Sequence, residues 1–177
     1  MRRVIVVVAS ATVLLAGLLV WLERGSGTGG RADHLIDTRR AAIGGVLPRT
    51  TRAAAEQVLG HGTRVSRTFV RSPESHWVEQ VSYPGARLVV TYIELAHPRR
   101  SLVAAVLTRD RRYRTADGIG VGTSVARLRR EGSLTCGNAS PETGSIQCSR
   151  GAYQQPVTAF EAKHGAVVWV MAVSSAD

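Results

Sequence analysis

Cysteine is nearly missing from this chain, lysine more so, and aromatic side chains make up only 5% of it. Each scarcity excludes something. The two cysteines, Cys136 and Cys148, stand 12 positions apart in a setting rich in Gly, Ser, Asn and Pro. That spacing is wrong for Cys-x-x-Cys redox chemistry, and two ligands without a nearby histidine make a poor zinc site. Outside the cytosol such an isolated pair forms a structural disulfide, which stabilises by roughly 3 kcal/mol in the chain-entropy model.

Catalytic and cofactor signatures are also lacking. His34, His61, His76, His97 and His164 are scattered, with no His-x-x-x-His or His-Glu-x-x-His spacing. There is no Gly-x-Ser-x-Gly and no Ser-x-x-Lys. Among the acids, Asp110 and Asp117 flank a basic run and read as surface ion pairs. No catalytic, cofactor-binding or metal-binding residue is assigned, and the chain reads as a non-enzyme. No nucleic-acid motif is present, and a nucleic-acid role conflicts with the export argued below.

Arginine is what the chain has in abundance. Of 23 basic residues only Lys163 is lysine, and the net charge is +10. The excess persists when the first 24 residues, which hold Arg2, Arg3, Arg24 and Glu23, are set aside. A solvated surface shaped by GC-rich coding accounts for it. An attraction to anionic lipid or cell-wall polymers is the sharper alternative.

One long apolar run is present. Val4 to Leu22 carries no charge and, at ~1.5 Å per residue, would span roughly 28 Å as a helix. Arg2 and Arg3 precede it and Trp21 sits near its far end, so the positive-inside rule leaves the amino terminus in the cytosol. The run is longer than a secretory h-region and lacks a small-x-small cleavage site, which favours a retained anchor over a cleaved signal. No cysteine lies near it, so a lipoprotein anchor is excluded. The expected organisation is an anchor or signal segment over 1–23, a flexible linker over 24–31, a first α+β unit over 32–112 and a second over 113–177. The protein is then single-pass in the cytoplasmic membrane with its domain outside the cytosol, or secreted if the segment is cleaved.

Within the domain, Thr50/Thr51 start a helix over 51–59 that Gly60 ends. Ala54, Ala55, Val58 and Leu59 give it an apolar stripe. Strand-like runs follow at 63–70, 76–83, 86–95 and 101–109, the third reading as central. Trp77, Val81 and Tyr83 share one face, with Glu79 breaking the pattern. Two last strands, 156–163 and 166–173, are joined by His164-Gly165, which fits a tight hairpin. Trp77 and Trp169 read as core residues among Tyr83, Tyr92 and Tyr153.

Between the two halves lies "TADGIGVGTSVARLRREG", residues 115–132. It invites a phosphate-loop reading. Yet its third glycine is misplaced for Gly-x-Gly-x-x-Gly, and no lysine follows as a triphosphate loop requires. The structural reading is a turn, a Thr123 or Ser124 cap, a short helix facing a sheet through Val125 and Leu128, and an exit at Gly132. Arg129 and Arg130 suit the negative end of that helix. "LPRTTRAAAEQVLG" (47–60) has the same design, with Thr50 matched to Ser124, which suggests two degenerate helix-plus-meander repeats of ~75 residues.

"IGGVLPRTTRAAAEQVLG" and "GIGVGTSVARLRREG" resemble the helix starts of small envelope domains of the SmpA/OmlA and beta-lactamase-inhibitor-protein type. "YRTADGIGVGTSVARLRR", with Leu134-Thr135-Cys136 and a second cysteine, is similar to exported actinobacterial envelope proteins of that architecture. The resemblance covers residues ~43 to 173. It implies an α+β fold outside the cytosol. It transfers no active residue, and no inhibitory loop can be matched. The expected role is a membrane-anchored, non-enzymatic domain that binds a protein or an anionic cell-wall partner. A secreted inhibitor of a hydrolase and an enzyme with an unrecognised site are the alternatives.

Overall fold

The computed structural model describes residues 34–71, 75–95, 100–151 and 155–174. The expected anchor over 1–23, the linker, His97 and Tyr153 lie outside the described residues. No helix among the described residues is long and apolar enough to cross a membrane.

The domain is α+β and mostly antiparallel. A two-stranded ribbon, β1 (Ile36–Asp37) and β2 (Ala42–Ile43), precedes helix α1 (Arg52–Leu59). Four strands follow: β3 (Thr63–Val70), β4 (His76–Tyr83), β5 (Leu88–Leu95) and β6 (Arg100–Thr108). The second half places helix α2 (Val125–Arg130) before β7 (Thr135–Cys136), β8 (Ile146–Arg150), β9 (Val157–Lys163) and β10 (Ala166–Val173). All eight later strands form one sheet in the order β3-β4-β5-β6-β10-β9-β8-β7. The last strand of each half is therefore its inner strand, and the two meet at the centre, with Met171 opposite Leu107.

The two helix starts dock on the sheet in the same way. Arg49 donates its N–H to the Val103 carbonyl at 2.7 Å, and Val103 donates to Thr50 O at 2.8 Å. In the second half Gly122 donates to Val167 O at 2.8 Å, and Val167 donates to Thr123 O at 2.9 Å. Immediately after each docking residue the register shifts, leaving Ala104 of β6 without a partner on β5 and Val168 of β10 without one on β9, as bulges. Arg49 and Gly122 both have positive φ, 66° and 88°, as do Gly45 and Gly118. The caps are Thr51, whose hydroxyl accepts from Ala54 N–H, and Ser124, whose hydroxyl accepts from Arg127 N–H. The equivalent of Ser124 is thus Thr51, one position later than the sequence alignment with Thr50 expects.

Burial falls on one face of the sheet. Val81, Tyr83, Leu88, Val90, Tyr92, Val106, Phe160, Val170 and Ala172 are closed off beneath a covering layer. That layer consists of α1, α2, the β1–β2 ribbon and the 109–124 connection, which contribute Ile36, Ile43, Val46, Ala55, Tyr113, Ile119 and Leu128. Each helix buries one residue fully, Ala55 in α1 and Leu128 in α2. The expected stripe on α1 is therefore narrower than read, since Val58 is exposed. The α2 exit also differs. Glu131 caps it in extended backbone, so Gly132 is not needed in a left-handed conformation. His164 and Gly165, at φ 53° and 84°, form the tight hairpin as expected.

Three buried tyrosines link the layers. The Tyr83 and Tyr92 hydroxyls meet at 2.6 Å, and Tyr113 donates to the Ala86 carbonyl at 2.7 Å. Burial raises the pKa of all three hydroxyls, and with the Asp110 charge nearby it pushes that of Tyr113 up to about 12. The folded state therefore holds these protons more tightly than the unfolded chain. The stability that Tyr113 confers in this way is complete below pH ~10 and is lost as pH rises through about 12. Tyr113 alone accounts for about 2 kcal/mol by pH 12. Urea unfolding at pH 8, 10 and 12 should show this fall, and Tyr113→Phe should make it shallower by about 2 kcal/mol at pH 12. A profile flat to pH 12 would contradict the account.

Candidate functional site

The residue types that carry chemistry do not converge. Among the described residues no group of three or more His, Cys, Asp and Glu side chains could hold a metal ion. His34 packs edge-on against Tyr113 at 5.0 Å, and His164 sits in the hairpin turn. Cys136 and Cys148 face each other on neighbouring strands and are disulfide-bonded. Asp110 pairs with Arg112 at 2.8 Å and Arg87 at 3.6 Å, and the Arg112 hydrogen bond holds its carboxyl below the usual range. Asp117 makes no ion pair among the described residues, contrary to expectation. Its backbone carbonyl instead accepts from Arg127 at 2.7 Å.

The glycine run is occupied by its own chain. Gly118 N–H goes to Thr115 O, Ile119 N–H to Thr115 Oγ1, and Gly120 N–H to Thr123 Oγ1. Gly122 N–H goes to Val167 O and Thr123 N–H to Gly120 O. A phosphate cradle needs such amides free and convergent. Here they are spent on folding the loop, and Ser124 rather than Thr123 caps the helix.

The aromatic residues depart most from expectation. Trp77 is 39% exposed, because the covering layer stops short of its end of β4. It is flanked by Phe69 at 5.1 Å and by the Arg67 guanidinium at 4.5 Å, which Glu94 holds at 2.6 Å. Glu79, the break in the β4 pattern, has a clear reason. It binds Arg52 at 3.2 Å, and Arg52 lies over the Tyr92 ring. Trp169 is half-buried, with its β9 partner Glu161 on the face of the sheet that carries no helix.

That open face is the candidate site. Side chains alternate along each strand, so the residues opposite the core positions share it. One row across it runs Ser82, Val89, Leu107, Met171, Ala159 and Ser149, each paired with the next. The centre is apolar, with Ala105, Val173 and Val157 in the adjoining row. Ala159 in this row is closed off, while Val89, Leu107 and Met171 are half-buried, and neither helix lies on this side. Toward β7 the face turns polar and hollows into a groove of about 460 Å³. Thr135, Asn138, Ser140, Ser145, Gln147, Ser149 and Glu161 are among its lining residues. A second cleft of about 280 Å³ lies on the other side, between Asp37–Arg39, Asp117 and Arg150, where Arg150 reaches Thr38 at 3.3 Å.

Sequence periodicity marks the alternation in these strands but not which face stays bare. The groove could not be read at all, because β7 and β8 are too short to announce themselves. No family model, no curated protein and no solved structure matches this chain.

Proposed function

We propose that this is a membrane-anchored, extracytoplasmic, non-enzymatic binding domain of the SmpA/OmlA and beta-lactamase-inhibitor-protein type, which engages a protein or cell-wall partner through the open face of its sheet. The observation that carries the reading is the contrast between the two faces. One is sealed by helices and loops, while the other presents the half-buried Val89, Leu107, Met171 and Val173 and carries neither of the two helices. An apolar sheet surface of this kind marks an interaction site. A disulfide between the sole cysteines supports an oxidising compartment.

The chain's entry into the domain supports the anchored arrangement. Ile36 N–H donates to Arg114 O, and Arg114 N–H donates to His34 O. An N-terminal anchor would thus hold the exposed Arg109, Arg111 and Arg112 near the membrane, where anionic head groups attract them.

Met171 offers a direct test, being the only methionine besides Met1. Peroxide should oxidise it several-fold more slowly in intact cells than in the purified full chain. Leu107→Glu, on the facing strand, should abolish that protection. Equal oxidation rates in cells and in the purified chain would remove the basis for the reading.

A further inference from the structure

We propose that the polar groove at the β7–β9 end of the open face binds a saccharide chain. The inference rests on the open-face reading and names what part of that face takes up. Its basis is the chemistry of the lining. The chain carries a net charge of +10, yet the lining contains no Arg, Lys or His. That selects against an anionic ligand. The lining is also without a large apolar side chain, which selects against an acyl chain or an apolar peptide.

What remains is a set of neutral hydroxyls and amides with one carboxylate. Thr135, Asn138, Gln147, Ser149 and Glu161 make no side-chain hydrogen bond to another described residue. Donors and acceptors are therefore available at the groove wall. Ser140 and Ser145 are tied to Thr143, whose N–H reaches Ser140 Oγ at 3.3 Å and whose hydroxyl meets Ser145 Oγ at 2.8 Å, so they shape the rim. The sheet orders the rest. Gln147 stands opposite Glu161, and Glu161 opposite Trp169, on three adjacent strands. Thr135 stands opposite Ser149 one row away. An amide, a carboxylate and an aromatic side chain in line suit a sugar ring. Its hydroxyls pair with Gln147 and Glu161 in the lining, and a neighbouring ring of the saccharide would set its C–H face on Trp169, which lies one strand beyond the lining. The groove volume lies within the range of roughly 300–1,000 Å³ for small-molecule sites.

Saturation-transfer NMR on the full chain in a phosphocholine detergent, which contains no sugar, tests this. The probes are chitotetraose and cellotetraose, with tetraglutamate as an anionic control. The expected result is transfer to at least one tetrasaccharide, with a Kd of about 1 mM or tighter, and none to tetraglutamate. Gln147→Ala and Glu161→Gln alter exposed or half-exposed side chains and should each weaken binding about tenfold. Trp77→Ala, on the opposite face, should leave it unchanged. Transfer that survives both groove variants would place the sugar elsewhere and overturn the proposal. So would the absence of transfer at about 10 mM. If Met171 is nevertheless protected in cells, the open face keeps its binding role and only the saccharide assignment falls. If Met171 is unprotected as well, both fall.

Discussion

Replacing Gly120 by alanine is expected to destabilise the domain by about 2–4 kcal/mol, more than a change at any other glycine of the 115–132 stretch. A Cβ there would run into the Tyr113 carbonyl oxygen and the Arg114 side chain. The obstruction is largely backbone, which has no rotamer to escape into. Gly120 is the point where the loop folds back to bridge Arg114, and Tyr113 anchors the other side of that contact in the core. Gly122 makes the informative comparison. Its φ of 88° disfavours other residues, but the nearest atom to an added Cβ is Arg111 Nε at 3.7 Å. Gly122→Ala should therefore cost only about 1–2 kcal/mol, the backbone term alone. Urea unfolding of the two variants checks the order. Equal losses would show that close approach is not what position 120 requires.

The second large effect concerns the disulfide. Changing Cys136 and Cys148 together to alanine is expected to cost about 3 kcal/mol, from the entropy regained by the unfolded chain. Alanine is the right replacement because Cys148 is fully buried, and a serine hydroxyl there would add a desolvation penalty. The loss should also be visible locally. β7 is two residues long and lies at the sheet edge, so little besides the disulfide ties it down. Amide exchange across Thr135–Ser149 should speed up well before that of β5 or β6. Because those residues line the groove, tetrasaccharide binding should weaken in the same variant. A double variant within about 1 kcal/mol of the parent, with unchanged exchange at β7, would contradict this account.

How much of this was legible follows from the range of each force. The Ser124 cap, the His164-Gly165 hairpin and the α1 start depend on neighbours a few residues away, and short-range hydrogen bonds and φ preferences announce them. Trp77 shows the opposite case. Its apolar neighbours on β4 suggest a core position, yet burial depends on whether a helix extends over it, and α1 does not. Trp169 lies beside the fully buried Val170, but alternation turns it to the other face. The bulges at Ala104 and Val168 leave no local trace either, because each answers to a loop docking from far along the chain.

The sequence alone determined the order of the two helices and the longer strands, the pairing of the only two cysteines, and the unsuitability of the glycine run for a phosphate. Those follow from local sterics, from a choice of one partner and from a missing lysine. Tertiary structure decided that β6 and β10 join the halves, that one face of the sheet is sealed and the other bare, and that Gly120 touches Tyr113. It also brought Gln147, Glu161 and Trp169 into line. Alternation makes two faces but cannot say which one a distant segment will cover. That choice belongs to the long-range packing of the covering layer, whose Arg49–Thr50 and Gly122–Thr123 segments dock on Val103 and Val167, in strands that lie far along the chain.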